Sequence, residues 1–421
     1  MSRGSTILVL LFLIMVQATG ALAGFWLPAI APAVGSDLGL DPALIAYPVL
    51  TLYIFAMGSS LAAEGLLARF GAWRTSQIGL CIFALSHSLF MTGTLASIFL
   101  GSVTMGCAYG LITPAASKIL AMIVTPANRN LIFSIRFTGV PLGGFAAGLI
   151  APAAALAYGW QASMLTTVAI ALALAVAMQP LRQIWDGERS RSARLIRNPL
   201  ADLRLVWQLA PVRWVAVSGL CLSAVQTTLT TYTVTMLVQD LDYSLVAAGI
   251  GLSAVQIASV FGRLTWGWLA DRVGSGLAVI LLICAIACIC SGLTSQLSQA
   301  WPKNAVLALC FAFGFVGMSW NGVYASEVAR LSPSDSVGKV TGACMFIVFA
   351  GVLFGPLGFI LLLGLTGSYT SSFLLTMMAS VAALLSTYLA MRAEKKHCCC
   401  LERNEHTASD RRIASDTHFR D

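Results

Sequence analysis

Twelve apolar segments, each about the length needed to cross a bilayer as a helix, take up most of this chain: residues 7–33, 44–64, 77–95, 97–117, 131–156, 161–180, 214–238, 245–265, 277–297, 305–327, 341–363 and 372–391. At 1.5 Å per residue, about 20 apolar residues span a hydrocarbon core roughly 30 Å thick. Hydrophobic residues make up 58% of the chain and charged residues only 10%, against about 25% charged in soluble domains. Such a chain cannot cover a surface that faces water. Helices are expected rather than a barrel, whose strands would be half as long and alternating in polarity. The fold class is therefore all-α and integral to the membrane.

The basic residues sort by side. All of the 25 Lys and Arg except Lys303 and Arg136 fall on one face of the expected membrane. Insertion and anionic lipid hold Lys and Arg in the cytoplasm, so that face and both termini are expected there, in an inner or plasma membrane. The net charge of +8 is then a topology signal, and no nucleic acid partner is expected. The lipid bilayer is the partner the sequence demands. The eleven Cys lie in spans or in the tail (Cys398, Cys399, Cys400), so no disulfide framework is expected and the tail thiols are expected to stay reduced. Arg3, the run Ile7 to Val16 and Ala21-Leu22-Ala23 imitate a cleaved leader, but the apolar run continues to Ala33. An uncleaved first helix is expected.

The longest polar interruption, residues 181–213, carries Arg182, Arg189, Arg191, Arg194, Arg197, Arg204 and Arg213 and divides the spans six and six. The expected organisation is a six-helix bundle over residues 1–180, a cytoplasmic loop over 181–213, a second bundle over 214–391 and a cytoplasmic tail over 392–421. Features recur across the loop: Gly106 to Gly110 against Gly317 to Asn321, Gly139 to Gly144 against Gly351 to Gly358, and two short basic turns, Glu64 to Arg74 and Gly267 to Gly276. Half-repeats of this kind enclose a solute path at their interface in transporters.

The segment Gly267-Trp-Leu-Ala-Asp271-Arg272-Val-Gly274 resembles the GxLADRxG loop signature of the major facilitator superfamily. The resemblance extends over all twelve spans through topology and repeat order. It implies two pseudo-symmetric six-helix bundles that rock about a central site, with this loop closing the cytoplasmic side. Gly267, Asp271, Arg272 and Gly274 are the expected gating residues, joined by Glu327 and Arg330, which resemble the family's second charge cluster and are expected to pair with Arg272 or Arg263. The first-half copy departs from the pattern: it reads Glu64-Gly-Leu-Leu-Ala68-Arg69-Phe-Gly71, with Ala68 at the Asp position and Glu64 at the first Gly.

Arg136, about six residues into span five, is the leading substrate-binding candidate. A charge roughly 9 Å along a membrane helix needs a watery cavity or an anion; the competing reading is an Arg that snorkels to the surface. Gln226, Asn321, Tyr324, Tyr53 and Tyr109 complete the candidate binding set, because polar groups at span depth must meet a ligand or one another. Pro141 and Pro356 are expected to let spans five and eleven bend. The glycine and proline motif resembles that of the family's drug antiporters only loosely, and Ser102 stands where those carry Arg. Span centres hold no carboxylate, which leaves proton coupling as something the resemblance implies.

The expected function is secondary transport of a small organic solute, an organic anion such as a carboxylate, by alternating access, with protons as a coupling ion left open. Drug or metabolite efflux on the same fold is the alternative, and a non-transporting membrane sensor the third. No nucleophile and base constellation and no phosphate-binding loop occurs, so no enzyme is expected. No cofactor, no metal and a monomeric chain are expected.

Overall fold

The computed structural model describes residues 3–39, 46–186 and 199–417, with side chains described as far as Lys396. Arg189, Arg191, Arg194, Arg197 and the side chains of Cys398 to Cys400 lie outside it. The first half comprises α1 (Arg3–Ala29), α2 (Ala31–Leu38), α3 (Ala46–Phe70), α4 (Ala72–Phe90), α5 (Leu95–Ile123), α6 (Arg129–Phe137), α7 (Gly139–Tyr158) and α8 (Trp160–Ala177). The connection holds α9 (Arg182–Trp185) and α10 (Pro199–Gln208). The second half comprises α11 (Ala210–Gln239), α12 (Leu245–Val273), α13 (Gly276–Thr294), α14 (Lys303–Gly317), α15 (Asn321–Leu331), α16 (Val337–Thr366), α17 (Tyr369–Ser372) and α18 (Leu374–Thr417).

Among the described residues, 11 helical segments are long and apolar enough to cross a membrane by composition alone. α4 is the twelfth, in third place in the order; it packs between α5 and α8 and its first turns carry the polar run Arg74 to Gln77. Two of its inward polar side chains are satisfied by neighbouring helices: Gln77 Nε2 donates to the Ala175 carbonyl at 2.8 Å and Ser86 Oγ to the Gly101 carbonyl at 2.7 Å. His87 is fully buried against Phe83 and Phe90. The lipid-facing positions read the opposite way, with Phe145, Leu156, Leu361 and Leu365 exposed.

The two halves repeat one packing scheme. A Cβ added at Gly106 would sit 2.2 Å from the Leu52 carbonyl oxygen, and one at Gly110 2.3 Å from that of Ala56, so α5 lies directly on α3. In the second half α14 lies on α12 through Gly314, 2.3 Å from the Val255 carbonyl by the same measure. Gly139 and Gly143 seat α7 on α1, and Gly351 and Gly355 seat α16 on α11. Small residues are what permit helix backbones to approach this closely in a membrane. The buried apolar residues form two clusters. One runs from Val9 to Trp185 with Ala325, Ala329 and Val337 added; the other runs from Val206 to Ala390 with Ala56 added.

Spans five and ten are each broken within the bundle. Span five breaks at Thr138, between α6 and α7, because Pro141 has no N–H to donate and its ring crowds the carbonyl of Phe137 four residues back. Span ten breaks over Met318 to Trp320, between α14 and α15. Span eleven carries Pro356 within a continuous helix, α16. Tyr232 braces it there, donating to the Pro356 carbonyl at 3.2 Å while its ring stacks 4.2 Å from that of Phe359.

Candidate functional site

The loop after span eight closes the basic face. α12 ends on Gly274 at φ +72°, a left-handed cap that a side chain would strain. The Asp271 carboxylate accepts from the backbone N–H of Asn130 at 2.9 Å, from that of Leu131 at 2.8 Å and from Asn130 Nδ2 at 2.9 Å. It thus caps the first turn of α6, in the other half, where free N–H groups and the helix dipole both favour an anion.

Two glycines allow this approach. A Cβ on Gly267 would lie 2.6 Å from Ser134 Oγ, and one on Gly322 would lie 2.3 Å from Ser134 Cα, so α6 is gripped between α12 and α15. The backbone cannot yield at Gly322 as a side-chain tip could. Gly322→Val is therefore expected to spring this face open, raising alkylation of an Asn130→Cys reporter, whose position is 3% exposed, by about tenfold or 1.4 kcal/mol. An unchanged rate would show that the grip does not hold the face shut.

Glu327 and Arg330 add a charge cluster to the same face. Arg330 donates twice to Glu327 Oε2, at 3.0 and 2.6 Å, and also to Glu394 of α18. Arg129 of the first half reaches Glu327 Oε1 at 3.8 Å and Ser326 Oγ at 3.3 Å. The expected pairing of this cluster with Arg272 or Arg263 is corrected. Arg272 sits about 100° around the helix from Asp271; it is exposed and lies over the Trp268 ring at 5.4 Å. Arg263 is turned to the interior.

Glu64 occupies the matching place in the first half. It is 6% exposed, and a Cβ on Gly338, in the first turn of α16, would meet its Oε2 at 2.3 Å. The longer side chain, one turn earlier than Ala68, reaches the neighbouring helix start that Asp271 reaches in the repeat. Read against the loop pattern alone, Glu64 was a departure; an acid one turn upstream on the same helix face was the signal for this contact.

Deeper between the halves, two guanidiniums are buried. Arg136 is 1% exposed, so it does not snorkel. It lies 4.5 Å over the Phe137 ring, its Nη2 donates to the Ile112 carbonyl at 3.4 Å, and its Nε has no hydrogen-bond partner. Arg263, also 1% exposed, donates to Ser259 Oγ at 3.0 Å and Asn321 Oδ1 at 3.5 Å, again with Nε unpartnered. Counting along the helices from the Ser134 to Gly267 contact, Arg136 is two residues deeper and Arg263 four, about 3 and 6 Å. Tyr109 of α5 lies within electrostatic reach of both. No ion pair within 4.0 Å involves either one among the described residues.

Polar and aromatic groups surround this pair. Asn321 Nδ2 donates to Gln226 Oε1 at 3.2 Å, linking spans seven, eight and ten. Tyr53, Tyr109 and Phe349 form a triangle with centroids 6.0 to 6.2 Å apart, two rings from the first half and one from the second. The breaks of spans five and ten fall beside it: Arg136 stands just before Thr138, and Asn321 opens α15, so the positive end of that half-helix lies inside the bundle. Tyr324 is placed elsewhere, buried in the second half with its ring against Gly219 and edge-on to Trp320 at 5.2 Å. Arg263 is the residue that sequence reading missed, because it was counted with the basic loop; its position eight residues, about 12 Å, before Asp271 was the available signal.

This arrangement has known counterparts. The family model of the Major Facilitator Superfamily matches residues 9–356. An uncharacterised MFS-type transporter of Mycobacterium tuberculosis is 24% identical over 327 residues, covering 76% of this chain and 69% of its own length. The probable nitrate/nitrite transporter NarK2 of the same organism is 27% identical over 312 residues, covering 70% and 74%. Among solved structures, the E. coli fucose:proton symporter FucP matches with a TM-score of 0.71 at 15% identity, over 91% of this chain and 98% of its own. A model match over most of the chain, twelve helices in order and a repeated packing scheme agree, and the chain belongs to the major facilitator superfamily.

Proposed function

We propose that this transporter carries a small organic anion, a carboxylate, by alternating access between residues 1–180 and 214–391. One observation carries the reading. Arg136 and Arg263, one from each half, are buried between the halves with no carboxylate partner among the described residues. Two uncompensated guanidiniums at that depth are costly unless an anion meets them. A carboxylate fits the planar fork of each donor set, and the Tyr53, Tyr109 and Phe349 rings offer an apolar wall for its carbon skeleton. The relative named as a probable nitrate/nitrite transporter points to the same charge class.

In this reading the basic loops and both termini lie in the cytoplasm, and the protein sits in the plasma membrane. Asp271, with the Arg129, Glu327 and Arg330 cluster, holds the cytoplasmic side shut. Uptake of a panel of labelled solutes into proteoliposomes preloaded with the same solute unlabelled, with and without a pH gradient, tests the substrate class. Carboxylates are expected to accumulate at least about tenfold over neutral sugars and organic cations, a preference of 1.4 kcal/mol. Equal uptake of a cation would overturn the anion assignment.

A further inference from the structure

The charge of the central space constrains how the empty carrier can move. The chain has 17 acidic residues; those whose side chains are described, Asp37, Glu64, Asp186, Asp202, Asp240, Asp242, Asp271, Glu327, Asp335 and Glu394, lie in connections or toward helix ends. The nearest to Arg263 along its own helix is Asp271, which is engaged at the first turn of α6. Glu327 is two turns below Asn321, between Arg330 and Arg129. His87, the one histidine within a span, is enclosed in the first half against Phe83 and Phe90 and faces neither guanidinium.

A carrier that returns empty needs a way to neutralise its binding charges during the crossing. A mid-membrane carboxylate does this by pairing with an arginine when the substrate has left. Among the described residues the groups that meet Arg136 and Arg263 are neutral: the Ile112 carbonyl, Phe137, Ser259 and Asn321. Gln226 and Tyr109 behind them are neutral as well. To occlude these arginines without an anion would strand two positive charges in a space that excludes water, whereas occluding them with an anion cancels most of the charge.

We propose that this protein is an obligatory anion exchanger: the halves interconvert readily only with an anion between Arg136 and Arg263, so each anion carried one way is answered by one carried back. The inference rests on the anion reading above, and it goes further by excluding the empty return step. No covalent step and no coupling ion is required. The gradient of one anion drives the movement of the other.

Counterflow separates the two claims. Purified protein is reconstituted in vesicles loaded with labelled lactate, succinate or nitrate, with the membrane potential clamped by potassium and valinomycin. Efflux is followed into a medium whose only anion is a bulky sulfonate buffer, and into the same medium containing the unlabelled probe. Efflux is expected to be at least about 30-fold faster with external anion, equivalent to about 2 kcal/mol at 1.4 kcal/mol per decade. Equal rates in the two media would overturn obligatory exchange while leaving the anion reading intact. If none of the three probes moves by either route, the anion reading fails and the inference with it.

Asn321→Asp supplies an independent check, since it puts a carboxylate where Asn321 Oδ1 now lies, 3.5 Å from Arg263 Nη2. With an internal counterion the empty carrier can cross, so net efflux should rise toward the exchange rate and the 30-fold ratio should shrink to a few-fold. A folded Asn321→Asp variant that keeps the wild-type ratio would count against charge as the cause. Should that variant not fold, the wild-type ratio still decides.

Discussion

Arg263→Gln is expected to abolish transport, lowering uptake at least about 100-fold, a loss of about 3 kcal/mol, while the protein inserts and folds normally. The guanidinium is 1% exposed, has an unpartnered Nε, and is held by Ser259 and Asn321 rather than by any carboxylate. Its positive charge thus contributes nothing to the fold that a neutral amide could not. Removing an uncompensated buried charge often leaves stability unchanged or raises it, so the thermal midpoint should hold or increase as activity disappears. That opposition separates a ligand-binding arginine from a structural one, whose loss would lower both. Arg136→Gln should behave alike. Arg263→Lys retains the charge without the planar fork and should fall between the two, because an ammonium cannot reproduce bidentate donation. Uptake above a tenth of wild type in either Gln variant would remove that arginine from the binding site.

Much of the architecture was legible in the chain because the bilayer permits so few solutions. Apolar runs of the right length, sorted basic loops and a break after the sixth run leave little besides two helical bundles. Span three tested that logic. The apolar run at residues 77–95 marks it, although the helix itself begins earlier, at Ala72, and opens on the polar run Arg74 to Gln77. The helix breaks were less legible. Pro141 and Pro356 look equivalent in sequence, yet only Pro141 lies at a break, and the break at Met318 to Trp320 has no proline at all. The central site was half visible: Arg136 stood out by depth, whereas Arg263 was masked by the basic loop it precedes, and Tyr324 was polar for reasons of core packing. Side-chain direction around a helix, a matter of 100° per residue, decides such cases.

Asp271→Asn is expected to slow turnover without weakening anion binding. The carboxylate takes two backbone N–H groups and the Asn130 amide, and a charged acceptor makes such contacts worth about 1.5 to 3 kcal/mol. The amide that replaces it keeps one acceptor oxygen, loses the charge and turns an NH2 group toward donors. The state closed on the basic face should therefore lose about 2 kcal/mol, so the population with this face open should rise about 30-fold. Neither Asp271 nor α6's first turn touches Arg136 or Arg263, which explains why the binding constant for the carried anion should move less than about threefold, under 0.7 kcal/mol. Glu64, against the first turn of α16, is expected to bias the same two-state equilibrium from the other half. Glu64→Gln should shift it in the same direction, and the two free-energy changes should add in the double variant, since the sites are separate and act through one rigid-body motion. Turnover and equilibrium binding measured on the single and double variants decide the matter. Parallel loss of both quantities would make Asp271 a scaffold residue, and a double variant no more open than either single one would mean that the two carboxylates do not act on a common closure.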